Sequence, residues 1–253
     1  MSRIISIVNQ KGGVGKTTTT VNLAACLAEA GQKVLLIDFD PQGNATSGLS
    51  PEETEGKSVY DLICGNAAAK ECILEEVLPN LDVIPSDLDL AGAEAEFQSI
   101  QGRNSRLREA LREIESLYDY IMIDCPPSLG ILTFNALVAS DSVIVPVQCE
   151  YYAMEGLSQI ISTINLVKQK INPGLSVEGI VFTMYDQRTK LSEQVVDSVK
   201  NGLGSIPFFR TIIPRNVKLA EAPSFGQPII IYDSGSRGAE SYRLLAAELL
   251  GNE

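Results

Sequence analysis

Asn9-Gln10-Lys11-Gly12-Gly13-Val14-Gly15-Lys16-Thr17-Thr18 is the stretch whose reading decides the fold. Just before it, Ile4-Ile5-Ser6-Ile7-Val8 is a short apolar, β-branched run. That is the pattern of a strand buried in a parallel sheet. Just after it, Val21, Leu23, Ala24, Ala25, Leu27 and Ala28 suit a well-buried helix that Gly31 ends. Strand, glycine loop, helix is the context that a phosphate-binding loop requires. Gly12, Gly13 and Gly15, which flank Val14, let the backbone curl until its N–H groups converge on phosphate oxygens. The helix N-terminus adds partial positive charge at the same place. In this pattern Lys16 reaches the β- and γ-phosphates, the Thr17 hydroxyl binds Mg²⁺, and Thr18 contacts a phosphate. The usual spacing begins with glycine, but Gln10 stands there, and a second lysine, Lys11, opens the loop.

The chain has 253 residues, 45% hydrophobic and 21% charged, enough for a full core in one large α/β domain spanning 1–253. No apolar stretch approaches the roughly 20 residues needed to span a bilayer. A strand starts almost at once, so no signal peptide is expected. Cys26, Cys64, Cys72, Cys125 and Cys149 include no Cys-x-x-Cys pair, and free thiols in a reducing cytoplasm are expected. There is no histidine, which excludes a His-ligated metal and a His general base.

Charge is unevenly spread. The net charge is −12, yet Asp186 to Lys218 carries six basic and three acidic residues. Pro51 to Ile100 carries two lysines against twelve acids. A local basic patch matters more for binding an anionic partner than the global sum.

Further along, Lys33 to Asp38 reads as a second buried strand, and Phe39 to Asn44 as a loop at its carboxyl end, where α/β sheets bind ligands. Ala45 to Lys57, rich in Gly, Ser, Pro and Glu, reads as mobile surface. Val59 to Leu78 reads as short helices, Leu81 to Pro85 as a strand, and Asp87 to Phe97 as helical. Arg103 to Leu117 has helical spacing, and Tyr120 to Asp124 is the next strand. Asp141–Val147, Val177–Thr183 and Phe208–Ile213 read as strands; 156–171, 191–203 and 238–250 read as helices. Alternating strands and helices predict a doubly wound, mainly parallel sheet flanked by helices.

Asp124 ends an apolar strand and precedes Cys125-Pro126-Pro127, the position of an aspartate that holds Mg²⁺. Asp38 and Asp40 close the second strand, and Pro41 biases Asp40 to an extended backbone.

The loop Lys11-Gly12-Gly13-Val14-Gly15-Lys16-Thr17-Thr18 resembles the deviant Walker A box of the ParA/MinD superfamily. Other strings widen the resemblance: Asp38-Phe39-Asp40-Pro41-Gln42-Gly43-Asn44-Ala45-Thr46, Ile123-Asp124-Cys125-Pro126-Pro127-Ser128-Leu129-Gly130, Pro146-Val147-Gln148-Cys149-Glu150-Tyr151-Tyr152-Ala153, Met184-Tyr185-Asp186-Gln187-Arg188-Thr189 and Ile213-Pro214-Arg215-Asn216-Val217-Lys218-Leu219-Ala220-Glu221-Ala222-Pro223-Ser224. Together they look like a DNA-partitioning ATPase of the ParA type, over essentially the whole chain. The resemblance implies a P-loop fold, ATP and Mg²⁺ as cofactors, and weak ATPase activity. It implies an ATP-sandwich homodimer, in which Lys11 reaches the partner's phosphates. It implies non-specific binding of double-stranded DNA, stimulation by a ParB centromere-binding partner, and a cytoplasmic, nucleoid-associated protein with no membrane attachment. It assigns Asp40 to orienting the attacking water, Asp38 to supporting the magnesium shell beside Thr17 and Asp124, and Pro214 and Asn216 to framing the adenine. Arg188 and Lys218, helped by Lys190 and Arg215, are the expected DNA contacts. Position 218 is Lys where relatives often carry Arg, which keeps the charge but loses the fork. Position 225 is Phe where relatives often carry His.

Three alternatives make different demands. A MinD-like division-site ATPase needs a basic amphipathic C-terminal helix. An iron–sulfur carrier needs cysteines that bridge two subunits. A non-enzymatic DNA-binding protein would not need the intact loop and aspartates.

Overall fold

The apolar runs become the middle of one sheet. The computed structural model describes residues 2–49, 56–97, 102–151, 153–204 and 206–251. Its strands are β1 (Arg3–Ile7), β2 (Val34–Asp38), β3 (Leu74–Leu78), β4 (Leu81–Ile84), β5 (Tyr120–Asp124), β6 (Ser142–Gln148), β7 (Ser176–Tyr185) and β8 (Phe208–Pro214). They lie in the order β3-β4-β2-β5-β1-β6-β7-β8. All described pairings are parallel except that of β3 with β4. Every residue of β2 and β5 is buried, as expected for strands covered on both faces.

The helices are α1 (Lys16–Glu29), α2 (Asn44–Gly48), α3 (Val59–Cys64), α4 (Leu90–Glu96), α5 (Arg106–Leu111), α6 (Ile131–Ala139), α7 (Ala153–Lys170), α8 (Lys190–Gly202), α9 (Val217–Glu221), α10 (Ile229–Tyr232) and α11 (Arg237–Leu249). They cover both faces. Ile5, Ile7, Leu36 and Met122 pack with α1 and α11, through Leu23, Leu27, Tyr242 and Leu245. Ile4, Leu35, Ile37 and Ile121 alternate to the other face, against Leu132, Ala136, Leu157 and Ile160. Each buried Ile, Leu or Met side chain among them contributes about 1.5–3 kcal/mol. This is the doubly wound, mainly parallel sheet that the alternation of elements predicts.

β1 has β5 on one side and β6 on the other. The chain fills the β2 side first, then returns to build β6, β7 and β8. That reversal opens a crevice at the carboxyl end of β1, where such sheets bind ligands.

Four local readings change. Leu74–Leu78 is not helical but an antiparallel edge strand, with Glu75 and Glu76 exposed; charges on an edge strand discourage pairing with another chain. Arg103–Leu117 is not one helix. α5 stops at Leu111, and a 3₁₀ turn follows at Glu115–Leu117. The chain must turn there because Asp119 is tied to the start of β2, its carboxylate accepting from the Lys33 N–H at 2.8 Å. Residues 44–49 are not mobile surface but α2 and its cap, with Ala45 and Leu49 in the core; positions 50–55 of that stretch lie outside the described residues. α6 has no counterpart in the sequence reading. Seven of its residues are buried, so no polar face marks its period.

Candidate nucleotide site

The loop between β1 and α1 is clamped by its neighbours across the sheet. The Asn9 side chain donates to the Pro146 carbonyl at 2.7 Å and accepts from the Lys11 N–H at 3.0 Å. The Thr183 hydroxyl donates to the Val14 carbonyl at 2.8 Å. Gly13 and Gly15 take φ values of 75° and 88°, which a β-carbon would strain. Gly15 is the N-cap of α1, so the loop's N–H groups and the helix N-terminus face one cavity of about 440 Å³. Gly12, Gly13, Lys16, Thr17, Thr18 and Asp40 line it.

The two loop lysines hold different posts. Lys16 is 7% exposed, and its ammonium donates to the Lys11 carbonyl at 3.3 Å. Burial pulls its pKa down, against the opposing pull of Asp124, Cys125 and Asp40. Lys11 does not line the cavity; its side chain forms an ion pair with Glu150, just before α7.

Three aspartates close the strand ends. The Thr17 hydroxyl donates to Asp124 at 2.6 Å, and the Thr20 hydroxyl to its other oxygen at 3.0 Å. Asp124 is fully buried, and burial, with the Asp38 charge, raises its pKa; the two threonine hydrogen bonds and Lys16 oppose the rise. Asp38 lies beside it in register on β2. One Asp38 oxygen accepts from both the N–H and the hydroxyl of Thr46, each at 2.7 Å, and the other from the Asp40 N–H at 3.3 Å. Burial raises the Asp38 pKa, and those hydrogen bonds oppose it. Asp38 thus faces the loop that follows it, while Asp40 lines the cavity and accepts from the Gln42 N–H at 3.0 Å.

A second cavity of about 330 Å³ adjoins the first. Pro214, Asn216, Ile213 and Leu219 line it, with Gly15, Thr18 and Met184 common to both cavities. The Asn216 side chain accepts from the Lys218 N–H at 2.8 Å and so caps α9.

The basic residues separate. Arg188 and Arg215 line one groove of about 770 Å³ together with Arg237 of α11. Arg188 is held by Asp186 at 2.8 and 2.9 Å and keeps that carboxyl well below its usual range. Lys218 does not line this groove; it pairs with Glu221 at 2.9 Å and lies over the Tyr232 ring. Lys190 opens α8, exposed and outside the groove.

Sequence reasoning missed Thr20, Thr46, Glu150, Met184 and Arg237. Thr20 had a signal in its spacing, three residues after Thr17 on the same helix face, whereas Thr46, Glu150 and Met184 lie in the strings that carry the resemblance but had no role assigned to them. Cys125, the thiol nearest the site, is fully buried, and burial raises its pKa.

Comparison with known proteins agrees with this geometry. A family described as an AAA domain matches residues 2–177. The sporulation initiation inhibitor protein Soj of Bacillus subtilis is 55% identical, with both chains covered in full. The chromosome partitioning protein ParA of Myxococcus xanthus is 53% identical over 99% of this chain and 88% of its own. Among solved structures, cobyrinic acid a,c-diamide synthase of Mycobacterium smegmatis, with bound ADP and magnesium, superposes with a TM-score of 0.85 at 38% identity, over 99% of this chain and 94% of its own. The cell division ATPase MinD of Pyrococcus furiosus gives 0.80 at 26% identity, covering both chains in full. With a deviant phosphate loop on a doubly wound sheet and full-length identity above one half, the chain belongs to the ParA/Soj family of chromosome-partitioning ATPases.

Proposed function

We propose that the chain partitions DNA through a nucleotide-switched cycle. ATP seals two copies into a sandwich dimer, the dimer binds duplex DNA without regard to sequence, and a ParB-type partner triggers the hydrolysis that resets it. The observation that carries this reading is the division of labour between the loop lysines. Lys16 is buried in its own phosphate cavity; Lys11 points away from it, against Glu150. Lys11 is therefore the charge available to a second copy's phosphates, for which it exchanges its carboxylate partner.

The donors suit Mg²⁺. The Thr17 hydroxyl and the Asp124 carboxylate are hard oxygens in contact beside the phosphate cavity. Among the described residues no cluster of three His, Cys, Asp or Glu side chains could hold a metal alone. Mg²⁺ takes one or two protein oxygens and completes its shell with phosphate and water. When bound, the ion supplies neutralisation of charge on the β- and γ-phosphates. Asp38, committed to Thr46, supports that shell by fixing the loop after β2. Lys16 and the loop N–H groups bind the phosphates, Asp40 orients the attacking water, and Pro214 and Asn216 frame the base.

DNA is the partner rather than a membrane because of the C-terminal helix. Of the leucines of α11, Leu245 and Leu249 are packed in the core and Leu244 alone is exposed, and Glu248 accepts from the Arg210 and Thr211 N–H groups. No described helix is long and apolar enough to cross a membrane. Arg188, Arg215, Lys190 and Lys218 supply phosphate contacts, and this activity places the protein on the nucleoid in the cytoplasm. The test is ATP turnover with and without an unrelated duplex and a peptide from the N-terminus of the cognate ParB-type protein. Turnover should be weak alone and rise when both are added. Turnover indifferent to both contradicts the reading.

A further inference from the structure

β7 and β8 lose register at their carboxyl ends. Phe182 pairs with Ile212 and Tyr185 with Pro214, so three steps along β7 oppose two along β8. The extra residue falls at Thr183–Met184, and Met184 has a φ of 52°. That left-handed conformation strains any residue with a β-carbon; among described non-glycine residues only Glu76 and Asn80 share it. Bulges of this kind re-aim a side chain, and strain of this kind concentrates at working sites.

The re-aimed side chain lands on the nucleotide site. Thr183 is clamped to the phosphate loop through Val14. The Met184 ε-methyl lies 3.9 Å from the point a β-carbon on Gly15 would occupy. Met184 also lines both the 440 Å³ phosphate cavity and the 330 Å³ cavity beside it. The Tyr185 carbonyl accepts from the Arg215 N–H at 2.9 Å, which ties the strand beyond the bulge to the wall carrying Pro214 and Asn216.

We propose that Met184 is a nucleoside-positioning residue, whose thioether packs against the sugar and base where a nucleotide passes from one cavity to the other. The inference rests on the reading that Pro214 and Asn216 frame the base. An unbranched, polarisable side chain suits an irregular boundary of this kind. The strained bulge is retained because the relaxed register would point residue 184 elsewhere.

The test measures binding and melting of the full chain, for Met184→Ala and Met184→Gly, with ATP, ADP and inorganic tripolyphosphate. Both variants should bind ATP and ADP about tenfold more weakly, because the apolar packing on the nucleoside is gone, with tripolyphosphate affinity unchanged. Melting should follow the backbone instead: Met184→Gly should melt about 2–4 °C above Met184→Ala, because glycine accepts the positive φ. Unchanged ATP affinity in both variants overturns the proposal. So does an equal loss for tripolyphosphate, which would mean that the phosphate loop itself had shifted. If the wild-type chain binds tripolyphosphate as tightly as ATP, the base-cavity reading fails first and takes this inference with it.

Discussion

At the scale of single residues, burial divides the charged groups of the site into distinct roles. Lys16 is buried at a cost that Asp124, Asp40 and the Lys11 carbonyl offset only in part, since its pKa is still lowered. Lys16→Ala should therefore lower ATP affinity more than about a hundredfold by isothermal titration, since charge-assisted bonds to phosphate disappear. Asp40 lines the cavity from the loop after β2. Asp40→Ala should keep ATP affinity while turnover falls at least about a hundredfold, because positioning of the nucleophile is the role proposed for it. Asp124 carries a stability cost. Its pKa is raised above the unfolded value by burial and by Asp38, so its contribution is most favourable at low pH, where it keeps its proton. That contribution is lost as pH rises above the ordinary carboxylate range of about 4 towards the raised folded value. Asp124→Asn should therefore raise the melting temperature of the nucleotide-free chain by about 2–4 °C at pH 7.5 and by less at pH 5, while abolishing Mg²⁺-dependent turnover. An equal gain at both pH values would contradict the assignment.

At the scale of elements, what was legible in the sequence was local. The phosphate loop, its strand and its helix are contiguous, so Asn9 to Thr18 could be read directly, and Asp124 followed from the strand it ends. The contacts of Glu150 and Met184 with the loop were not legible because they are made only across the sheet, and that of Thr46 was not because it needs α2 to fold back on Asp38. The edge strand Leu74–Leu78 misled because its two glutamates suit a helix as well as a charged edge. Arg103–Leu117 kept helical spacing past the point where Asp119 forces the turn. α9 is too short to announce itself, yet it carries one wall of the 330 Å³ cavity proposed to hold the base and is capped by Asn216. Asn216→Ala should cost about 1 kcal/mol of stability through the missing cap and raise KM for ATP several-fold, read from melting and steady-state kinetics. A raised KM with unchanged melting would mean that Asn216 acts on the base and not on the helix.

At the scale of the whole molecule, an acidic chain of net charge −12 must gather its basic groups to bind DNA. Arg188 and Arg215 share a groove with Arg237, whereas Lys218 stands apart, and both Arg188 and Lys218 have acidic neighbours. In the proposed cycle one copy would therefore neutralise few phosphates, and a dimer would double their number. The slope of log affinity against log salt should fall by about 0.9 for each phosphate left unneutralised, so Arg188→Ala, counted twice in a dimer, removes up to about 1.8. The weakening should be the same for unrelated sequences, because phosphates carry no base information. The proposed cycle requires that ATP, by dimerising the chain, create the DNA-binding surface. The most direct measurement is the sedimentation of the Asp40→Ala protein with an unrelated labelled duplex, in ATP and in ADP. With ATP the protein should sediment as a dimer bound to the duplex, and with ADP as a monomer leaving it free. Equal DNA binding in the two nucleotides, or an ATP-bound monomer on the duplex, would contradict it.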